Sequence, residues 1–282
     1  MQRLVHSFAV FVILLIFIAD STPSFAQTRI KNLSEYSPAP RVFSPMGCRG
    51  LGLNGHVHSD VGDEVGALGN RAFVENYDMS ESISRSDTFD IVHYALDLDL
   101  TNYGLQQMQA RALIEVSVIE SGAEEIWFDL LSLTVDSVNI DGASSGFVHE
   151  NGRLIVPSPN AVFQSGDAHE IEVFYGGHPE QDPSWGGVYF TAGYIYHMGI
   201  GLTSIPPNYG KVWHPCFDNF VERATYSWNI RSADGMEAHL QGTFLGETFE
   251  EGDTLTRSFI LEHPITTHQA AFAVSSYVDS NF

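Results

Sequence analysis

The stretch Phe89-Asp-Ile-Val-His-Tyr-Ala-Leu-Asp-Leu-Asp-Leu100 decides the fold class of this chain. Its residues form two interleaved sets, in which Val92, Tyr94, Leu96, Leu98 and Leu100 alternate with Ile91, His93, Ala95, Asp97 and Asp99. A period of two puts successive side chains on opposite sides of an extended backbone. The stretch therefore predicts a half-buried β-strand.

The same alternation continues toward the C-terminus, interrupted by turn signals. Asn102-Tyr-Gly104 separates the first run from a second apolar run that extends from Ala110 to Val118. Asn151-Gly152 joins two further runs and is the strongest hairpin signal, because these residue types accept the positive φ angles of a type I′ turn. No segment longer than about ten residues has a convincing helical period with caps. The sequence therefore predicts an all-β domain.

Composition limits the partners that this chain can bind. The 282 residues include 13 Lys and Arg against 35 Asp and Glu, which gives a net charge of −22. Binding to nucleic-acid phosphates requires a basic surface, so we expect no nucleic-acid partner. The chain has two cysteines, Cys48 and Cys216, and a disulfide between them is allowed but not implied.

The first residues have the pattern of an export signal. Arg3 and His6 precede an apolar run from Phe8 to Ala19, and Ser24-Phe25-Ala26 provides a small-x-small cleavage site. We predict a signal peptide over residues 1–26 and export to the periplasm or the extracellular space. We expect no membrane span after cleavage, because no later stretch is long and apolar enough.

Residues 27–84 lack a sustained period and are rich in proline and glycine, so we predict a disordered or linker segment. His56 and His58 lie within it, two positions apart. On a strand they would face the same side and could share a metal, but the sequence places no third ligand beside them. The β domain is predicted over residues 85–282.

A second stretch, Asn208-Tyr-Gly-Lys-Val-Trp-His-Pro-Cys-Phe-Asp-Asn-Phe-Val-Glu-Arg-Ala-Thr-Tyr226, concentrates aromatic and charged residues. Six of its residues form a spaced pattern: Trp213, Pro215, Cys216, Asp218, Arg223 and Tyr226. We expect structural roles for them, with the aromatic rings in a core or at a domain interface. Asp218 and Arg223 are expected either to form a structural ion pair or to satisfy polar groups of a turn, and Cys216 is expected to be a buried thiol.

This pattern resembles the aromatic-Pro-Cys-x-Asp segment that closes the amino-terminal β domain of zinc aminopeptidases of the aminopeptidase N family. The basic, small, Thr and aromatic residues that follow it also match. Further matches occur in the family's order: Tyr94-Ala-Leu-Asp-Leu-Asp-Leu100, Val138-Asn-Ile-Asp-Gly142 and Val173-Phe-Tyr-Gly-Gly177. The resemblance implies a saddle-like β-sandwich of mixed and antiparallel sheets over residues 85–282.

The resemblance also implies zinc chemistry whose motifs this sequence lacks. Family members hold zinc with His-Glu-x-x-His and a downstream Glu, and bind the substrate amine through Gly-x-Met-Glu-Asn. Here His149-Glu150 and His169-Glu170 lack the second His, and Gly235-Met-Glu-Ala238 lacks the spacer and the Asn. Ser204 and Pro206 stand where many relatives carry an amine-binding Gln-x-Glu or Gln-x-Gln. We therefore predict no catalytic residue and no metal ligand in this chain.

Two functions follow as hypotheses. In the first, the chain is the non-catalytic first domain of an exported zinc aminopeptidase-like protein, which shapes the substrate channel when a catalytic domain is supplied. In the second, it is a free-standing exported β-sandwich that binds a peptide, a glycan or a protein. Four aromatic residues could line a groove or simply pack in sheets and loops: Trp185, Tyr189, Tyr194 and Tyr196.

Overall fold

The computed structural model describes residues 79–191, 193–250 and 252–277. The predicted signal peptide, residues 27–78 of the predicted linker, Cys48 and the His56 and His58 pair lie outside the described residues. Within the described part of the chain, no helix is long and apolar enough to cross a membrane.

The described residues form strands for most of their length. In chain order the elements are the helix α1 (Met79–Thr88) and the strands β1 (Phe89–Asp99), β2 (Met108–Val118), β3 (Glu125–Asp129), β4 (Thr134–Ile140), β5 (Ala143–Ser145), β6 (Val148–Glu150), β7 (Arg153–Pro157), β8 (Ala168–Gly177), β9 (Gly186–Thr191), β10 (Tyr194–Gly201), β11 (Ala224–Ser232), β12 (Glu237–Leu240), β13 (Thr243–Glu250), β14 (Thr254–Ile265) and β15 (Phe272–Ser275). Short 3-10 turns lie at Tyr103–Leu105, Gly210–Val212 and Thr267–Gln269.

The strands are organised in three sheets. The largest has eight strands in the order β13-β14-β11-β1-β2-β8-β4-β5, the second has the order β12-β15-β10-β9, and the third has the order β3-β7-β6. Within the large sheet β1 runs parallel to β11 and antiparallel to β2. The predicted all-β sandwich of mixed and antiparallel sheets is confirmed.

Strand β1 differs from its prediction at its first residues. Tyr94, Leu96 and Leu98 are buried as the alternation requires, but Ile91 is also buried while Val92 is only half-buried. The reason is a register shift between Ile91 and His93 in the pairing with β2, which inserts Val92 as an extra residue. Such a bulge inverts the alternation on one side of it, so a uniform period assigned Ile91 to the wrong face.

The hairpin at Asn151-Gly152 is present as predicted. It joins β6 to β7, and the two residues have φ angles of 52° and 73°. Both angles lie in the left-handed region that glycine and asparagine adopt most readily.

A shared apolar core fills the space between the sheets. Its largest fully buried side chains come from the large sheet, from β3, from the loop between β7 and β8 and from the segment before β11: Trp213, Trp228, Tyr94, Tyr175, Tyr226, Phe128, Phe163 and Phe217. The rings of Tyr94 and Tyr226 stack at a centroid distance of 5.1 Å, and Tyr226 stacks on Trp228 at 5.2 Å. The first stack connects β1 to β11 across the parallel pair, and the second continues along β11.

Helix α1 was not predicted, and it places residues 79–84 of the predicted linker in regular structure. Its sequence contains four serines, which have only moderate helix propensity. Tertiary contacts hold it instead. The Arg85 guanidinium lies 3.7 Å from the ring centre of Trp127 and 4.2 Å from that of Phe217, and it forms a buried salt bridge with Asp129.

Candidate functional site

The Asn208–Tyr226 segment lies in the core. Trp213, Cys216 and Tyr226 are fully buried, and Pro215 is buried beside them. Cys216 is a free thiol whose backbone pairs with that of Asp129. Burial raises the pKa of this thiol well above its ordinary value. A buried neutral thiol is a poor nucleophile, so the geometry assigns Cys216 a packing role.

Asp218 does not form the expected ion pair with Arg223. The Arg223 side chain is exposed, whereas the fully buried Asp218 carboxylate accepts hydrogen bonds from the Lys211 backbone N–H and Nζ, each 3.2 Å away, and from the Thr267 hydroxyl. Burial opposes ionisation of Asp218, but the Lys211 charge and these hydrogen bonds outweigh it and lower the pKa. Asp218 therefore ties its own segment to the 3-10 turn Thr267–Gln269.

Two buried histidines flank Trp213, and no sequence motif identified them. The His197 and His214 rings lie 5.4 Å and 4.4 Å from the Trp213 ring. His197 Nδ1 lies 3.1 Å from the Ala270 carbonyl oxygen, and its Nε2 lies 3.1 Å from that of Tyr209. Burial lowers the pKa of each histidine to about 4, so both rings are neutral at pH 7.

The His-Glu pairs of the sequence lie on strands. His149 is on β6 with its Nε2 3.0 Å from the Leu130 carbonyl oxygen, and His169 is on β8 with its Nδ1 2.7 Å from an Asp141 carboxylate oxygen. No group of three or more His, Cys, Asp or Glu within residues 79–191, 193–250 and 252–277 could hold a metal ion.

A buried carboxylate, Asp182, joins the loop before β9 to the loop after β10. It accepts hydrogen bonds from the backbone N–H groups of Ser184, Trp185 and Thr203 at 2.9, 3.0 and 3.0 Å. The hydroxyls of Thr203 and Ser204 donate to it at 2.8 and 2.7 Å. Although burial alone would raise the pKa of Asp182, these donors lower it far below its ordinary value. The two loops are thereby fixed to each other.

These two loops, the end of β10 and the segment before β11 present large apolar side chains to solvent. We call this surface the apolar rim, and it consists of Trp185, Ile200, Leu202, Ile205, Phe220 and Val221, each between 39% and 65% exposed. His268 lies between Phe220 and the part of the rim next to Gly199. The Phe220 ring packs edge-on against the His268 ring at 5.3 Å, and the His268 backbone lies so close to Gly199 that a Cβ there would sit 1.7 Å from the carbonyl oxygen.

The predicted groove residues separate into two places. Tyr189 and Tyr196 are directly opposite each other on β9 and β10, and their rings stack at 5.1 Å. Tyr194 lies on the same face of β10 and is 56% exposed, whereas Trp185 belongs to the apolar rim. We call Tyr189, Tyr194 and Tyr196 the tyrosine face. Sequence analysis missed Tyr277, which packs on His239 at 4.5 Å and extends this aromatic surface.

Comparison with known proteins gives a structural match and no sequence match. No protein-family model and no curated protein matches the sequence. An M1 zinc metallopeptidase from Deinococcus radiodurans, solved with a Tyr-Ser-Ala substrate, matches with a TM-score of 0.60 and 23% identity over 67% of this chain. A two-domain M1 zinc metallopeptidase bound to L-arginine gives a TM-score of 0.60 and 22% identity over the same share.

The described fold resembles part of an M1 zinc metallopeptidase. This chain spans 42% of the length of each of these metallopeptidases, so the match is consistent with one domain of a two-domain protein. At 22–23% identity the likeness concerns the fold.

The structure also shows what occupies the positions where the aminopeptidase N resemblance expects amine-binding side chains. Ser204 donates its hydroxyl hydrogen bond to Asp182 at 2.7 Å, and Pro206 is buried. The Ser204 hydroxyl is therefore used to fix its loop to Asp182, and neither Ser204 nor Pro206 carries a charge that could bind a ligand.

Proposed function

We propose that this chain is the non-catalytic amino-terminal domain of an exported, zinc aminopeptidase-like protein and that it acts by docking onto a catalytic domain. The observation that carries the proposal is the fold match to two-domain M1 zinc metallopeptidases, of which this chain spans 42%. In this proposal the partner domain holds the zinc and performs peptide hydrolysis, and the present domain forms one wall of the substrate channel.

The apolar rim supports docking on physical grounds. A soluble domain gains nothing by holding several large apolar side chains in water, and such clusters mark contact surfaces. The rim residues stand on loops that Asp182 and Asp218 already fix, so docking would cost little conformational entropy. A surface that is apolar and rigid before contact fits a permanent domain interface better than a transient one.

The first test is to read the DNA beyond the codon for Phe282 in all three forward frames. A coding stretch with Gly-x-Met-Glu-Asn followed by His-Glu-x-x-His supports the proposal and identifies the catalytic domain. A stop codon followed by unrelated sequence speaks for a free-standing domain instead.

The second test uses two leucines of nearly equal exposure as a matched pair. Leu202, in the apolar rim, is 65% exposed, and Leu105, in the 3-10 turn after β1, is 67% exposed. We expect Leu202→Asp to weaken binding of the catalytic domain at least about tenfold in calorimetry, because a carboxylate would be buried at the interface. Leu105→Asp should leave the affinity unchanged. Equal effects of the two substitutions would refute docking through the rim.

The tyrosine face supports a second candidate function, a free-standing exported module that binds a peptide or a glycan. The stacked, half-buried rings of Tyr189 and Tyr196 and the exposed ring of Tyr194 provide contact area for such ligands at a low entropic cost. Peptide and glycan arrays test this candidate. It predicts a ligand whose binding is lost in Tyr194→Ala and retained in Leu202→Asp, the reverse of the pattern expected for domain docking.

A further inference from the structure

The loop that carries Phe220 and Val221 of the apolar rim is held by helix α1. The Asn219 side-chain amide donates to the Ser82 carbonyl oxygen at 2.8 Å and to the Ser86 hydroxyl at 3.1 Å. Its own oxygen accepts from the backbone N–H groups of Val221 and Glu222, at 3.0 and 2.7 Å. Asn219 therefore connects the helix to the backbone of the loop.

Glu222, at the end of the same loop, adds an ionisable group to this network. Its side chain is buried, and its Oε1 accepts a hydrogen bond from the Ile91 backbone N–H at 2.9 Å. The Ser86 hydroxyl also bonds to this carboxyl group. Ser86 thus links Glu222 and Asn219 to α1, while Ile91 links Glu222 to β1.

The charged and titratable groups around Glu222 come from three elements. Arg85 on α1 favours ionisation of Glu222, and Asp90 on β1 opposes it. The hydroxyls of Tyr94 on β1 and Tyr226 on β11 also lie within electrostatic reach of it. Burial dominates these influences, and it raises the pKa of Glu222 from 4.5 to about 7.

We infer that α1 and residues 219–222 form a proton-controlled latch, closed when Glu222 is protonated and loosened when Glu222 ionises. The part of this inference that concerns the apolar rim rests on the proposed function. Because the latch holds Phe220 and Val221, its opening would release one section of the rim. Protonation of a single buried carboxyl group would thereby control how well the rim is ordered for docking.

The direction of the effect follows from the linkage between protonation and structure. In the closed latch the protonated carboxyl is favoured, whereas in an open latch water solvates the carboxylate and its pKa returns toward 4.5. Opening therefore becomes easier as the pH rises from the open-state pKa through the closed-state pKa. Between pH 6 and pH 8 the opening equilibrium should increase about tenfold.

Hydrogen exchange followed by mass spectrometry on the whole chain measures this opening. Peptides that cover α1 and residues 219–222 should lose about tenfold in protection between pH 6 and pH 8, after correction for the intrinsic pH dependence of exchange. Peptides from β2 and β8, in the centre of the large sheet, serve as the internal control and should not show that loss. Constant protection of α1 across this range would overturn the inference.

Two variants assign the effect to Glu222. Glu222→Gln keeps a side chain of the same shape that does not ionise, so its α1 protection should not vary with pH. Asp90→Asn removes a neighbouring negative charge and lowers the closed-state pKa of Glu222, so the loss of protection should level off at a lower pH and be smaller between pH 6 and pH 8. Wild-type pH dependence in Glu222→Gln, or an unchanged loss of protection between pH 6 and pH 8 in Asp90→Asn, would each contradict the latch.

These measurements use the isolated chain and no partner, so they separate the latch from the proposed docking function. If α1 protection follows pH while Leu202→Asp and Leu105→Asp bind the catalytic domain equally, the latch stands and docking through the rim fails. If protection does not follow pH while the two leucine variants differ, docking stands and the latch fails.

Discussion

At the scale of single residues, Asp218 and Lys211 form a buried ion pair in the core. Both side chains are almost fully buried, so each charge depends on the other for compensation. We expect Asp218→Asn to lower the free energy of unfolding by about 3–5 kcal/mol, because it leaves a buried ammonium group without a counter-charge. Urea denaturation measures this loss.

The matched control is Glu247→Gln. Glu247 pairs with Arg257 at 3.3 Å, but its side chain is 37% exposed. Water screens such a pair, so the substitution should cost less than about 1 kcal/mol. A similar loss for both variants would mean that burial does not set the strength of the Asp218 pair.

The buried histidines should make the protein less stable as the pH falls. His197 and His214 have folded-state pKa values of about 4, below the ordinary 6.5, so the unfolded chain takes up protons first as the pH falls. Their stability contribution is complete above pH 6.5 and is lost between pH 6.5 and pH 4. By pH 5.5 each histidine should lower the free energy of unfolding by about 1 kcal/mol.

Glu222 acts in the opposite direction over part of this range, because its raised pKa makes the folded state bind the extra proton as the pH falls from 7 to 4.5. The acid-induced loss should therefore be steeper in Glu222→Gln than in the wild type. Urea denaturation at pH 7.5, 6.5 and 5.5 checks this difference. Parallel curves for the two proteins would contradict the assignment.

At the scale of elements, helix α1 is a short segment of weak helix propensity that tertiary contacts hold in place. Arg85 and Arg153 stack on the same Trp127 ring, at 3.7 and 4.1 Å from its centre, but only Arg85 is buried and paired with Asp129. Arg85→Ala should cost about 3–5 kcal/mol and expose α1 to limited proteolysis, since the Asp129 carboxylate would remain buried without its partner.

Arg153→Ala is the control for that prediction. Arg153 pairs with Glu81 at 2.6 Å, and the two side chains are 28% and 47% exposed. Its removal should cost less than about 1 kcal/mol and leave α1 resistant to protease. Release of α1 by both substitutions would show that stacking on Trp127, rather than the buried ion pair, holds the helix.

The β6–β7 hairpin depends on one glycine. Gly152 has a φ of +73°, and a Cβ at this position would lie 2.7 Å from a Leu131 side-chain carbon. Gly152→Ala should destabilise the protein by about 1–2 kcal/mol in thermal or urea denaturation. Gly146→Ala has open space around the added carbon and should be close to neutral. Equal costs would mean that the left-handed backbone at Gly152 is not the source of strain.

The sequence alone predicted the features of the fold that depend on local residue patterns. The Asn151-Gly152 turn is local chemistry and was predicted, as was the alternation of Tyr94, Leu96 and Leu98. Helix α1 was missed because its stability comes from contacts with residues more than 40 positions away, which no local period reports.

The candidate site was harder to predict from the sequence than the fold. An ion pair with Arg223 was one of the two structural roles predicted for Asp218, whereas the fold turns Lys211 back onto the carboxylate. Trp185 was predicted as a possible groove residue, but the apolar rim as a surface was not identified, because its residues come from separate segments of the chain and form no motif. Asp182 and Glu222 also stand outside recognisable patterns, because hydrogen-bond donors from two separate loops lower the pKa of Asp182 and burial raises that of Glu222.

At the scale of the whole molecule, the parallel pair of β1 and β11 is the feature that local patterns could not predict. Alternation identifies each strand but says nothing about its neighbour. The aminopeptidase N resemblance implied a mixed sheet, and the structure supplies the order β14-β11-β1-β2. Local periodicity thus determined the strands of this domain, while their partners required the resemblance or the coordinates.

The parallel pairing of β1 with β11 limits how early this domain can complete its large sheet during synthesis. His93 and Thr225 bond side chain to side chain, although 132 positions separate them. At about 5–20 residues per second, the 132 positions between these residues mean that β1 emerges about 7–26 seconds before β11 exists. During that interval β1 can pair with β2, but its other edge stays open to the wrong neighbours. Completion of β11 therefore sets the earliest moment at which the nascent domain is safe from aggregation.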